Sequence, residues 1–143
     1  MITKQGLLDS IPIRDGDLIV RLRTRADIDE YACWPQYPPE YESFNKTFSL
    51  RFAAMTAEQR DEQFREWMRD DARIVLAVDL CSECAVANIT LREIDWDSGR
   101  IGNMGFLVKP TAVDKGIGTT IMRTVSDWCF GHGIVSLRLD VVA

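Results

Sequence analysis

A glycine-rich segment beside a lysine and two threonines has the residue types that can bind a pyrophosphate. Residues 115–120 read Lys-Gly-Ile-Gly-Thr-Thr, and a short apolar run ending at Val108 precedes them. Glycine allows the backbone to approach a ligand closely, and the free N–H groups at a helix N-terminus attract anions. The lysine adds a full positive charge, and the threonine hydroxyls add hydrogen-bond donors. The segment therefore predicts an anion-binding turn that opens a helix.

Glycines at this spacing have three other interpretations. They can serve a strand-to-helix turn that binds nothing. A dinucleotide-binding turn is disfavoured because its third glycine would fall at Ile121 and because the loop from Lys109 to Lys115 is too long. A P-loop is excluded because the segment lacks Gly-Lys-Ser/Thr at the required spacing.

The elements around this turn follow from hydrophobic periodicity and from helix-capping residues. Helices are predicted over residues 26–34, from Thr56 onwards, and from Ile117 to Phe130; Thr24 caps the first of them. An aromatic and proline-rich loop from Trp34 to Tyr41 follows the first helix. Strands are predicted over residues 18–22, 73–80, 85–96, 100–108 and 136–142. Because short turns separate the three middle strands, they should form an antiparallel meander.

Composition limits the classes of function. The chain has 143 residues, 46% of them hydrophobic, which suits a single domain over residues 1–143. A net charge of −5 argues against binding to nucleic acid through its phosphates. The sequence shows no signal peptide and no apolar run of membrane-spanning length, and its four cysteines suit a reducing compartment. We therefore expect a cytoplasmic protein without a membrane or nucleic-acid partner.

The order of these features resembles the cofactor motif of the GNAT acetyltransferase superfamily. A strand leads through Val108-Lys109-Pro110 and a short loop into Gly-Ile-Gly-Thr and an amphipathic helix. The element order of the whole chain is similar too, although motif-level detail is confined to residues 101–130. The Trp34–Tyr41 loop and the Trp128-Cys129-Phe130 helix end are similar to the branch with ribosomal-protein N-acetyltransferases. The resemblance implies an α/β fold of the α+β type, with a mostly antiparallel mixed sheet and helices on both faces.

The resemblance also implies a reaction and a cofactor site. An acetyl group would pass directly from acetyl-CoA, the co-substrate, to the primary amine of a small molecule or a peptide. The backbone of Phe106, Leu107 and Val108 would pair with the pantetheine arm. The pyrophosphate would be enclosed by Lys115, Gly116, Ile117, Gly118, Thr119 and Thr120.

The catalytic assignments depend on two positions in the fourth strand of the family. Asn103 stands where many members have a glutamate, so its amide would orient a water or the amine; otherwise it is an ordinary strand residue. The backbone N–H of Val108 would polarise the thioester. Val113 stands where the family usually has Arg or Gln, which removes one contributor to anion binding.

Two groups of residues could bind the acceptor. Four aromatic residues of the first helix and its loop would line the pocket, or else form a satellite hydrophobic cluster: Tyr31, Trp34, Tyr37 and Tyr41. Three acids on or after the third family strand could attract a cationic amine, or else form a solvated face: Glu93, Asp95 and Asp97.

Two pairs of possible zinc ligands raise the question of a zinc site. They are Cys81 with Cys84, and Cys129 with His132. A helix of about 20 Å would separate the pairs, whereas zinc ligands must converge on one point. We therefore predict no metal.

The end of the sequence departs from the family pattern. Members continue after the strand predicted over residues 136–142 with a helix, which carries a proton-donating tyrosine, and with final strands. The sequence reaches only Ala143. We therefore expect a C-terminally incomplete domain whose exposed edge strand supports a homo-oligomer such as a dimer. The alternative is a degenerate, non-catalytic acyl-CoA-binding or oligomerisation module. A nicotinamide oxidoreductase is a more distant alternative.

Overall fold

The computed structural model describes residues 2–37, 48–113 and 115–139, which form a six-stranded mixed sheet with helices on both faces. The helices are α1 (Lys4–Leu8), α2 (Arg25–Ala32), α3 (Phe48–Ala53), α4 (Ala57–Arg69) and α5 (Ile117–Gly131). The strands are β1 (Ile13–Asp15), β2 (Leu18–Leu22), β3 (Ile74–Leu80), β4 (Glu83–Asp95), β5 (Arg100–Val108) and β6 (Ser136–Leu139). They lie side by side in chain order, antiparallel except that β6 runs parallel to β5. The predicted fold class is confirmed.

Two hydrophobic cores lie on opposite faces of the sheet. Core 1 packs α1 and α5 on the sheet and includes Leu7, Ile89, Met104, Ile121 and Val125. Core 2 packs α2, α3 and α4 on the other face and contains Ile28, Tyr31, Trp34, Phe52, Trp67, Val75 and Ala85. Strand alternation explains the division, because successive side chains of β4 and β5 point to opposite faces.

Capping boxes fix where two helices begin. Asp27 Oδ2 accepts a hydrogen bond from the backbone N–H of Thr24 at 2.7 Å, before α2. At α4 the pairing is reciprocal between Thr56 and Gln59, at 3.1 and 2.9 Å. Each box satisfies N–H groups that have no partner inside the helix, so the helix starts were readable from sequence.

Three short elements were not predicted: α1, β1 and α3. Each has six residues or fewer, which is too short for a periodic hydrophobic pattern, so tertiary packing decides its conformation. The last strand is described only as far as Leu139, and the remainder of the predicted 136–142 span lies outside the described residues. Among the described helices, none has the length and hydropathy needed to cross a membrane.

Candidate active site

In the second half of β5, some backbone groups point to the side of the strand away from β4. Val108 lies opposite Ala87, and the Lys109 N–H donates to the Val86 carbonyl at 2.7 Å. Neighbouring residues of an antiparallel pair alternate between facing the partner strand and facing away. The N–H and C=O of Val108 therefore face away from β4, and so do those of Phe106.

The neighbouring strand covers only the first half of β5. The pairing between β5 and β6 runs from Arg100 opposite Ser136 to Met104 opposite Leu139. Beyond Met104, no described residue of β6 faces the outward backbone groups of Phe106 and Val108. This edge can take an extended ligand as an added strand would be taken.

Leu107 differs from its two neighbours. The same alternation directs its N–H and C=O to Asn88 of β4, and its side chain packs against core 2. The prediction that its backbone binds the pantetheine arm is therefore wrong, because those groups are used in the β4–β5 ladder.

Tyr37 reaches the open edge of β5 from the loop after α2. Its hydroxyl donates to the carbonyl of Val108 at 2.5 Å. Burial raises the pKa of Tyr37 to about 12, so the phenol stays neutral at physiological pH. The contact confirms that the carbonyl of Val108 faces away from β4.

Two of the other predicted pocket residues are interior. Tyr31 is 0% exposed and Trp34 is 5% exposed, and their rings meet edge to face at 5.1 Å. They pack with Phe48 and Phe52 in core 2, so the hydrophobic-cluster interpretation holds for both. Tyr41 lies outside the described residues.

The start of α5 lies at the end of this edge. Gly116 is the N-cap in the left-handed conformation (φ 76°), and it makes no side-chain capping hydrogen bond to the first N–H groups. A Cβ built on Gly116 would meet no atom within 4 Å, so the turn is open. The first N–H groups, of Ile117, Gly118 and Thr119, precede the first intrahelical bond, from Thr120 N–H to Gly116 O at 3.1 Å.

The side chains of the glycine turn have different surroundings. Lys115 and Thr119 are exposed at the helix start, whereas Ile117 is buried in core 1. The hydroxyl of Thr120 donates to the carbonyl of Gly116 at 3.1 Å, so this donor turns into the helix rather than towards an anion. A Cβ on Gly118 would lie 3.3 Å from the ring of Phe106, so glycine permits close packing of α5 on β5.

Family comparison agrees with this geometry. The model of the acetyltransferase (GNAT) family matches residues 29–143. The chain belongs to the GNAT family. No curated protein matches the chain by sequence.

Solved structures similar to this GNAT chain include spermidine N-acetyltransferases from Vibrio cholerae. One is a dodecameric structure in an intermediate state: TM-score 0.68, 14% identity, covering 90% of this chain and 72% of that chain. Another is a complex with CoA and spermine: TM-score 0.63, 15% identity, covering 82% and 66%. A third is a chimera of the Vibrio cholerae protein and hSSAT: TM-score 0.65, 15% identity, covering 81% of this chain and 64% of that one. At such identities the likeness shows the fold alone.

The two predicted catalytic groups do not lie at one point of the GNAT site. Asn103 and Val108 are five residues apart in an extended strand, which is about 16 Å. They cannot both act on one thioester. The N–H of Phe106, which also faces the open edge, is about 10 Å along the strand from Asn103.

Of the predicted acids, Glu93 lies beside Gly102, whereas Asp95 and Asp97 lie at the β4–β5 turn. Asp95 orders the β4–β5 turn by accepting from the N–H groups of Asp97 and Ser98, at the far end of β5 from Val108. Cys81 and Cys84 are exposed near the β3–β4 hairpin, whereas Cys129 is buried in core 1. Within the described ranges, no three His, Cys, Asp or Glu side chains are grouped as metal ligands.

Sequence reasoning missed the polar face that borders core 2. On β4, Asn88, Thr90 and Arg92 share this face, opposite Leu107, Gly105 and Asn103 of β5. The signal was present in the sequence, because these residues alternate with Ala87, Ile89 and Leu91. What the sequence could not show was that Arg23 and Arg51, from distant segments, lie near this stripe.

Proposed function

We propose that this GNAT protein transfers an acetyl group from acetyl-CoA to a primary amine. One observation carries the proposal. The start of α5, which has no side-chain capping hydrogen bond, adjoins the edge of β5. On that edge the backbone groups of Phe106 and Val108 lack a β6 partner among the described residues. An anion site that continues into an unpaired strand edge matches a pyrophosphate joined to an extended arm.

The residues present fit CoA in two places. The N–H groups of Ile117, Gly118 and Thr119, with the Lys115 ammonium, would hold the pyrophosphate. The N–H of Val108, whose carbonyl already accepts from Tyr37, would pair with the arm, which then runs back along β5 towards Phe106. Thr120 contributes to the turn through its bond to Gly116 rather than by contacting the cofactor.

The bound cofactor supplies an activated acetyl thioester. The amine nitrogen bonds to the carbonyl carbon, the carbon–sulfur bond breaks, the nitrogen loses a proton and the sulfur gains one. The backbone N–H of Phe106 or Val108 would stabilise the developing oxyanion. Phe106 is the better placed of the two, because it lies farther from the pyrophosphate site and nearer to Asn103.

Asn103 would act as a positioning residue in this scheme. An amide side chain cannot accept the proton as a general base, so the amine must lose it to water. Asn103 shares the core-2 face with Arg92, which lies directly opposite on β4. It can therefore orient the amine or a water beside the open edge.

A non-catalytic acyl-CoA-binding module is the second candidate. Val113 and Asn103 favour it, because the usual Arg or Gln of the turn and the frequent glutamate of the strand are both replaced. The branch with ribosomal-protein N-acetyltransferases, a cytoplasmic location and a homo-oligomer stay predictions. So does the acceptor, since spermine is named only for a relative.

Thermal stability with acetyl-CoA tests the cofactor site. We expect a saturable rise in Tm with acetyl-CoA and none with NADH, because binding to the native state alone stabilises it. Thr119→Glu should abolish the rise, since its carboxylate would repel the pyrophosphate. The same substitution should leave the free protein folded, because an acid in the first turn suits the helix dipole.

Phe130→Glu is the matched control. Phe130 is 51% exposed and lies 11 residues along α5, about 16 Å away and beyond the Debye length. Its Tm rise should equal that of the unmodified protein. A rise that survives in Thr119→Glu would sink the proposed site. Binding without thiol release for any amine in a panel would favour the non-catalytic module.

A further inference from the structure

The core-2 face beside the open edge of β5 is basic. Arg51 of α3 and Arg92 of β4 are both exposed, and Arg23 is buried behind them at 3% exposure. Arg51 lies close enough to the other two for their charges to interact. Partial burial, and then the charge of Arg92, lowers the pKa of Arg51. Burial is the main cause of a lowered pKa for Arg23, and the charge of Arg51 lowers it further.

No described carboxylate forms a salt bridge with any of the three. Asp27 and Asp79 are both held by Arg21, at 2.8 and 2.7 Å, and Glu93, which follows Arg92 in β4, lies beside Gly102. Arg23 instead donates to the carbonyl of Ile89 at 3.0 Å and stacks 4.5 Å from the Trp67 ring centroid. Within the described part of the chain, Arg51 and Arg92 therefore keep guanidinium groups that no salt bridge occupies.

The Arg92 guanidinium lies next to the proposed reaction point. A Cβ on Gly105 would be 3.5 Å from Arg92 Nη2, so the guanidinium lies over Gly105. Gly105 immediately precedes Phe106, whose N–H faces the open edge. A small molecule could place one group on Arg92 and another at a thioester beside Phe106.

A second observation points to a ligand on this face. Asn88 is 5% exposed, and its Nδ2 has no hydrogen-bond partner among the described residues. A buried donor without a partner is costly, and a ligand oxygen would satisfy it. Asn88 lies on the same face of β4 as Arg92, two positions beyond Thr90.

From these observations we infer that the acceptor amine carries an anionic oxygen group, a carboxylate or a phosphate, which binds Arg92 and Arg51. The inference rests on the proposed acetyl transfer and specifies its acceptor. Guanidinium groups bind such oxygens through paired hydrogen bonds. A polycation such as spermine, bound in the relative's complex, would be repelled here.

Matched amines test the inference. Ornithine and putrescine differ only by a carboxylate, and phosphoethanolamine and ethanolamine differ only by a phosphate. With saturating acetyl-CoA, kcat/KM from thiol release should be at least about 10-fold higher for an anionic member than for its partner. The pair with the larger ratio identifies the anion.

Arginine variants assign the effect to this face. Arg92→Gln should reduce the ornithine-to-putrescine ratio, or the corresponding phosphate ratio, by about 10- to 100-fold, and Arg51→Gln should reduce it less. The matched control is Arg65→Gln, which removes the same charge from an exposed pair with Glu62 on α4 and should leave the ratio unchanged. Equal kcat/KM for both members of each pair, or a ratio unaffected by Arg92→Gln, would overturn the inference.

A binding measurement separates this inference from the proposed function. Titration calorimetry of the CoA-loaded protein with the same four amines needs no turnover. Tighter binding of an anionic member, lost in Arg92→Gln, supports the basic acceptor site even if no thiol is released. Equal binding of both members of each pair contradicts it, even if thiol is released in the activity assay.

Discussion

At the scale of single residues, burial decides what a reactive side chain can do. Cys129 lies in core 1 at 0% exposure, and burial raises the pKa of its thiol to about 12. Cys33, Cys81 and Cys84 are exposed. A buried neutral thiol is a poor nucleophile, because the thiolate is the reactive form.

Alkylation should therefore distinguish the four thiols. With iodoacetamide at pH 8, we expect three to react within minutes and Cys129 to react only after unfolding in urea. Peptide mass spectrometry identifies the labelled sites. The Cys129→Ser variant should show the same labelling in buffer as the unmodified protein. Rapid labelling of Cys129 in the native protein would contradict the described packing of α5 on the sheet.

At the scale of elements, one arginine connects strands and helices across core 2. Arg23 follows β2, bonds to the carbonyls of Leu76 in β3 and Ile89 in β4, and stacks on Trp67 of α4. Burying a guanidinium without a salt-bridged carboxylate costs desolvation free energy. The hydrogen bonds and ring contacts of Arg23 offset this cost but add little net stability. Its contribution to stability should therefore come mainly from the volume that it fills.

Two substitutions separate volume from charge at this position. Arg23→Met keeps most of the volume and removes the buried charge, so the free energy of unfolding should change by less than about 1 kcal/mol. Arg23→Ala leaves a cavity and should cost about 3 kcal/mol. Urea denaturation measures both. A loss in Arg23→Met as large as that in Arg23→Ala would mean that the charge and its hydrogen bonds, and not the volume, stabilise the fold.

At the scale of the whole molecule, a charged network links the sheet to the helices that cover it. Arg21 of β2 bonds to Asp27 of α2 and to Asp79 of β3. Burial raises the pKa of Asp27, but hydrogen bonds from Arg21 and from the Thr24 N–H outweigh it, so its pKa falls below 3.8. A carboxyl with a lowered native pKa stabilises the fold above its unfolded pKa and loses that contribution as pH falls through the native pKa.

The free energy of unfolding should therefore fall steeply as the pH drops below about 4. Asp27→Asn should cost about 3 kcal/mol near pH 7, where it leaves Arg21 with one partner fewer, and should flatten the decline below about pH 4. Urea midpoints at several pH values measure this. As a control, Asp9→Asn on the exposed surface should keep the steep decline. An unchanged pH slope in Asp27→Asn would show that other carboxyls control acid unfolding.

Much of the fold was determined by short-range features of the sequence. Thr24 and Thr56 set helix starts through residues three positions away, and alternation and short turns set the antiparallel β3–β5 meander. The glycine turn was readable for the same reason, because its conformation depends on Gly116 and its immediate neighbours.

Only the tertiary structure decided which residues meet. The register of β5 on β4 directs the backbone of Phe106 outwards and that of Leu107 inwards, and packing buries Tyr31 while Tyr37 reaches Val108. The basic face likewise combines α3 and β4 with a residue that follows β2. Such encounters join residues far apart in the chain, whose approach depends on how the sheet and its two cores assemble and not on any local pattern.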